Sequence, residues 1–110
     1  MVLISKFLTE IADIEAIVSD VDALEFTQSM IMQKAVVMSL INIGELSKHF
    51  SEAFIYATKS VAWKDIRSLR NLAAHNYEAI KMNNIWSAIE QDIPPLKAIL
   101  IKQQSRLRNN

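Results

Sequence analysis

The sequence predicts an all-α fold, and three observations carry that prediction. Apolar residues recur at spacings of three and four in separate stretches. The 110 residues include one glycine, two adjacent prolines and few aromatics. The rest is rich in Ile, Leu, Met, Ala, Lys, Glu and Gln, which suits long helices joined by short turns. The length suits one compact domain over 1–110 with a modest core.

The first segment places Phe7, Ile11, Ile14, Val18 and Val21 on one stripe with acids around it, the pattern of an amphipathic outer helix. The period is lost in DVDALEFT, between Asp20 and Leu24, and Thr27 or Ser29 is placed to cap the next helix. That second helix, 28–50, is apolar on nearly every side, from Met30 and Ile31 through Met38 to Leu46. Such a helix belongs at the centre of a bundle or against a second subunit. Gly44 sits inside it despite its propensity cost, which marks a close helix–helix approach. The methionines read as adaptable core filling.

SEAFIYATKS reads as a helix end and a loop, with Ser60 as cap for a third helix from Ala62 to His75. Trp63, Ile66 and Leu69 give that helix a core stripe and leave Arg67, Arg70 and Asn71 directed elsewhere. Asn83 or Asn84 is placed to start a last helix with Ile85, Ile89, Ile93, Leu96 and Leu100 in its stripe and Trp86 beside it. Pro94 and Pro95 remove backbone donors, so this helix is expected to kink or restart near Asp92. KQQSRLRNN reads as a fraying end.

With no cysteine, disulfides, thiolate zinc sites and cysteine nucleophiles are excluded together. His49 and His75 alone make no metal-ligand cluster, and no glycine-rich phosphate loop exists, so neither a metal nor a cofactor is expected. The start does not resemble a signal peptide and no apolar run is long enough to span a bilayer, so the expectation is a cytoplasmic protein without a membrane partner. Net charge is zero but uneven: residues 1–28 carry Lys6 against six acids, and residues 81–110 carry five basic and two acidic side chains. Solvated helix faces explain this more simply than a nucleic-acid patch, and balanced charge argues against broad, non-specific nucleic-acid binding.

The densest chemistry lies in RSLRNLAAHNYEAI, 67–80. On an α-helix Asn71 and His75 share a face, Arg70 lies on the neighbouring strip over Ala74, and Tyr77 follows two turns on from Arg70. Arg70 is a permanent bidentate donor matched to phosphate, and His75 exchanges protons near neutrality. Together they suit phosphodiester cleavage, and two copies facing each other would supply both acid and base. On physics alone the plainer reading has more weight: His75 as a capping residue and Arg70 paired with Glu45 or Glu78.

R-x-x-x-x-H-x-Y, with Arg70, His75 and Tyr77, resembles the signature of the HEPN superfamily, specifically the HepT-like toxins paired with MNT-type nucleotidyltransferase antitoxins. INIGELSKHF, VAWKDIRSLRN and IWSAIEQDIPPL resemble that family in order and spacing, over residues 3–102. The resemblance implies an antiparallel four- to five-helix bundle, here with its last helix kinked at Pro94 and Pro95. It also implies a homodimer with two motifs at one cleft and metal-independent endoribonuclease activity on RNA. Arg70 and His75 would be catalytic, Asn71 supporting, and Tyr77 the tyrosine that the partner nucleotidyltransferase AMPylates. Asn76 stands where glycine or a basic residue is frequent, and Lys81 where an aspartate is expected to open the last helix. The competing reading is a non-catalytic partner or substrate-binding subunit of a nucleotidyltransferase; an RNase assay with an Arg70→Ala control separates the two.

Overall fold

The computed structural model describes residues 2–74 and 80–109, and all regular structure among them is helical. Helix α1, Val2–Ile17, buries Phe7, Ile11 and Ile14 of the expected stripe and extends it back to Ile4; Val18 and Val21 follow half-buried in the turn beyond it. Asp20 reverses the chain there in the left-handed conformation, φ 59°, a region aspartate tolerates better than most side chains.

The stretch where the period fails is a short helix, α2, Ala23–Gln28. The Asp22 carboxylate accepts from the Glu25 N–H at 2.8 Å, and fully buried Phe26 anchors the helix. Six residues are too few to display a period. Thr27 lies within α2, its hydroxyl donating to the Leu24 carbonyl at 2.8 Å, so Ser29 is the cap of the next helix and accepts from the Met32 N–H at 3.3 Å.

Helix α3, Met30–Ser47, is the central rod, packed against α1, α2 and the segment that carries Arg70. Its buried positions include Gln33, Val36, Val37, Leu40, Ile43, Gly44 and Ser47, a single face at helical spacing. Within the single chain, then, one side of α3 stays open: Ile31 is 85% exposed, and Met30 and Met38 are each 58% exposed. Polar Gln33 takes a core position because its Nε2 donates to the Phe26 carbonyl at 2.8 Å, tying α2 to α3. Methionine as core filling fails at the two exposed positions; Met32 and Met82 are half-buried.

The expected loop after α3 contains another short helix, α4, Glu52–Ala57, capped by Ser51, whose hydroxyl accepts from the Phe54 N–H at 3.1 Å. It carries an aromatic cluster in which Phe50 lies 5.2 Å from Phe7, 4.6 Å from Phe54 and 5.4 Å from Trp63, between ring centres. Trp63 Nε1 donates to the Thr58 hydroxyl at 3.0 Å, and that hydroxyl donates to the Phe54 carbonyl at 2.7 Å, which fixes the start of α5, Trp63–Ser68. Ser60 is not its cap; Ala62 holds that position without a side-chain hydrogen bond.

Helix α6, Met82–Ser87, starts at Lys81, which has no oxygen to cap with, and Asn83 and Asn84 fall inside its first turn. A π-helical turn, Ala88–Asp92, follows, closed by the Ile93 N–H on the Ala88 carbonyl. Helix α7, Ile93–Asn109, then restarts beside the expected position. The prolines sit in its first turn, where absent donors cost little, so the irregularity lies just before them. Ile85, Ile93, Leu96 and Leu100 are buried and Ile89 half-buried, and Trp86 packs on Phe26 with ring centres 5.2 Å apart. Lys97 meets the Glu15 carboxylate at 2.8 Å, so part of the charge asymmetry between the chain ends is complementarity between α1 and α7. Among the described residues no helix is long and apolar enough to cross a membrane.

Candidate functional site

The segment bearing Arg70 is not a continuous α-helix. After α5 the chain tightens into a 3-10 helix, Leu69–Ala74, with three residues per turn. Leu69 and Leu72 thus share its inward face, one buried and one half-buried, Arg70 aligns with Ala73, and Asn71 aligns with Ala74. Arg70 and Asn71 are both exposed. The α-helical alignment of Arg70 with Ala74 is replaced by this tighter one. His75 and Tyr77, and with them the expected stacking of His75 on Asn71, lie outside the described residues.

Gly44 permits this placement. A Cβ there would run into the backbone nitrogen of Arg70 and lie 3.1 Å from both the Arg70 Cα and the Leu69 carbonyl carbon. The close approach read from the lone glycine is thus between α3 and the backbone of the motif itself. Leu69 and Ile66 hold the other side in the core.

Around Gly44 a cleft of about 250 Å³ is lined by Lys48, Glu52, Arg67 and Arg70. Lys48 and Arg67 were absent from the site read in the sequence. Each pair, Gly44 with Lys48 and Arg67 with Arg70, is spaced to share a helix face, but only packing of α3 on the 3-10 segment joins the pairs. Glu45 does not pair with Arg70; its carboxylate meets Lys48 Nζ at 2.8 Å. That hydrogen bond and the Lys48 charge, with smaller help from the Arg70 and His49 charges, hold the Glu45 carboxyl below its ordinary value. Among the described residues no carboxylate lies within ion-pair distance of Arg70, and Arg67 Nε is buried without an acceptor.

On the other side of the 3-10 segment, a cleft of about 420 Å³ is lined by Lys34, Met38, Ile41, Leu72, Ala73 and Ile80. It continues the exposed apolar face of α3. A larger groove of about 580 Å³ between α1 and α3 is lined by Lys6, Glu10, Asn42 and Glu45 among others, but by neither Arg70 nor Asn71. Among the described residues no three His, Asp or Glu side chains gather where they could hold a metal ion.

Comparison with known proteins bears on the family of the chain as a whole. The family described as "Ribonuclease HepT-like" matches residues 7–102. The chain is 31% identical over 85 residues to a Methanocaldococcus jannaschii protein named "Putative RNase MJ1380", covering 77% of this chain and 78% of that protein. It is 34% identical over 87 residues to "Putative RNase MJ0127" of the same organism, covering 79% and 72%. It is also 31% identical over 65 residues to "Probable ribonuclease HepT" of Thermococcus cleftensis, covering 59% of each. No solved structure matches the chain significantly.

Proposed function

The chain belongs to the HepT-like ribonuclease family, and from that premise we propose that it is a metal-independent endoribonuclease, the toxin of a toxin–antitoxin pair. The observation that carries this reading is the exposed Arg70, seated on Gly44 at the rim of a cationic cleft. A guanidinium in that position meets the negative charge that the non-bridging oxygens carry as the bonds at phosphorus form and break.

The cleavage uses two chains. His75 of one chain takes the proton of an RNA 2′-hydroxyl, whose oxygen bonds to phosphorus; His75 of the other gives a proton to the departing 5′-oxygen as its bond to phosphorus breaks. Arg70 stabilises the charge on the non-bridging oxygens, and Asn71, exposed one residue on, supports them. The exposed face of α3 supports the homodimer. Ile31 and Met38 run toward the apolar cleft that reaches Leu72 and Ala73, so a second copy covering that face brings its own motif to this one. The small side chains of Ala73 and Ala74 leave room for the approach.

A nucleotidyltransferase antitoxin silences the enzyme by AMPylating Tyr77, which sets a phosphate and an adenosine where RNA would bind. The test is RNA cleavage by the purified protein beside His75→Ala and Arg70→Ala. Both variants are expected to remain dimeric and to lose cleavage. A folded His75→Ala dimer that cleaves RNA at the wild-type rate would sink the reading. Co-expression with the nucleotidyltransferase is expected to add mass in units of AMP on Tyr77.

A further inference from the structure

With Arg70 assigned to the phosphate that is cut, the Gly44 cleft still contains two cations without a role. Lys48, the residue that caps the end of α3, lies one turn beyond Gly44, and Arg67 one turn before Arg70, and all four residues border the same 250 Å³ space. Glu52 is the one carboxylate among the described residues lining it. Three cations face Glu52 in the cleft and Glu45 beside it on Lys48, a positive balance that makes the cleft a receptor for anions.

The two cations differ in a way that suits a bound phosphate. Arg67 is half-buried and its Nε is shut off without an acceptor among the described residues. Leaving a charged donor buried and unsatisfied is costly, and an anion beside this guanidinium offsets part of that cost. Lys48 is half-exposed and holds only the neighbouring Glu45, an i, i+3 surface pair that is readily exchanged for a stronger anion. Gly44 lines the cleft between them, and its lack of a side chain lets the Leu69–Arg70 backbone close on α3 there, which brings Arg67 and Arg70 up to Lys48.

Resting on the ribonuclease reading, we propose that this cleft is a second phosphate subsite, in which Arg67 and Lys48 grip the non-bridging oxygens of an RNA backbone phosphate adjacent to the one being cut. Positions three apart on a helix have Cβ atoms about 5–6 Å apart, so the long arms of Arg67 and Arg70 reach successive phosphates of one strand. Arg67 and Lys48 are positioning residues: they set the register of the strand so that its scissile bond lies at Arg70. The subsite reads backbone and not base, so it adds affinity without sequence preference.

The test is the salt dependence of binding, by fluorescence anisotropy, of the full-length protein to a labelled single-stranded RNA whose 2′-hydroxyls are methylated against cleavage. Removing one cation that neutralises a phosphate of a single strand lowers the slope of log K against log salt by about 0.7. The double variant Lys48→Ala/Arg67→Gln is expected to lower the slope by about that amount and to weaken binding several-fold, each single variant is expected to lower it by part of that, and Arg67→Lys is expected to recover most of what Arg67→Gln loses. A merely structural role would weaken binding equally at every salt concentration. Should Arg67→Gln fail to fold, Lys48→Ala, at an exposed position, decides the same question. Slopes equal to wild type in the folded variants overturn the subsite and leave the ribonuclease reading standing. A wild-type protein that binds no RNA overturns both.

Discussion

Replacing Gly44 by alanine tests how the site is built, because helix propensity and packing predict opposite outcomes. Taken as a position inside α3, the change should stabilise the protein by about 0.5–1 kcal/mol, the usual cost of glycine relative to alanine in a helix. The added methyl, however, meets backbone and not a flexible side chain: the Arg70 nitrogen, with the Arg70 Cα and the Leu69 carbonyl carbon each at 3.1 Å. Restoring ordinary contact, about 3.5 Å or more between carbon atoms, requires the 3-10 segment to retreat by roughly 1 Å at Arg70. Overpacking of this kind costs about 1–3 kcal/mol, so it outweighs the propensity gain. The net loss is on the order of 1 kcal/mol, which for a domain near this size lowers Tm by about 4–8 °C. The same retreat moves the Arg70 guanidinium, and in the role proposed for it a displacement of about 1 Å costs roughly 100-fold in rate. Thermal unfolding and RNA cleavage of the purified variant measure both. A Gly44→Ala protein that melts higher than wild type and cleaves RNA at the wild-type rate would refute the close approach as the determinant of the site.

Two other predictions follow from separate parts of the fold. Ile31→Asp places a charge on the most exposed large apolar residue of α3, and sedimentation should show the proposed dimer in the wild type and a monomer with unchanged helix content in the variant; a variant that stays dimeric removes that face from the interface. Asp92, in the π-helical turn, has its carboxyl raised above the ordinary value by burial first and by the Asp65 charge second. The folded protein therefore holds this proton more tightly than the unfolded chain, and its stability falls as pH rises from the unfolded to the folded value. Asp92→Asn should melt higher than wild type at neutral pH and lose that advantage below the aspartate range. An advantage that persists unchanged in acid would show that the charge is not its source.

The long helices were legible because their signal is local. Ile4 to Ile14 in α1 and Ile85 to Leu100 in the last rod repeat at three and four, and one core face satisfies each repeat. The helices α2 and α4, of six residues each, gave no period, and their caps at Asp22 and Ser51 resemble ordinary loop residues until the chain is packed. Composition could not divide the faces of α3, where apolar residues on all sides fit either the centre of a bundle or a second subunit. Ile31 and Met38 face outward, while Gln33 holds a core position through one hydrogen bond to the Phe26 carbonyl.

For the candidate site, the sequence by itself determined the family motif, the identities of Arg70 and Asn71, and that Gly44 marks a close approach. Motif spacing and a missing side chain are properties of the chain alone. Only the tertiary structure decided what Gly44 approaches, that the helix tightens to three residues per turn at Leu69, and that Lys48 and Arg67 meet beside Arg70. These depend on how α3 packs against a segment more than twenty residues later in the chain. Periodicity reports which residues share a face of one helix, and packing decides which faces meet.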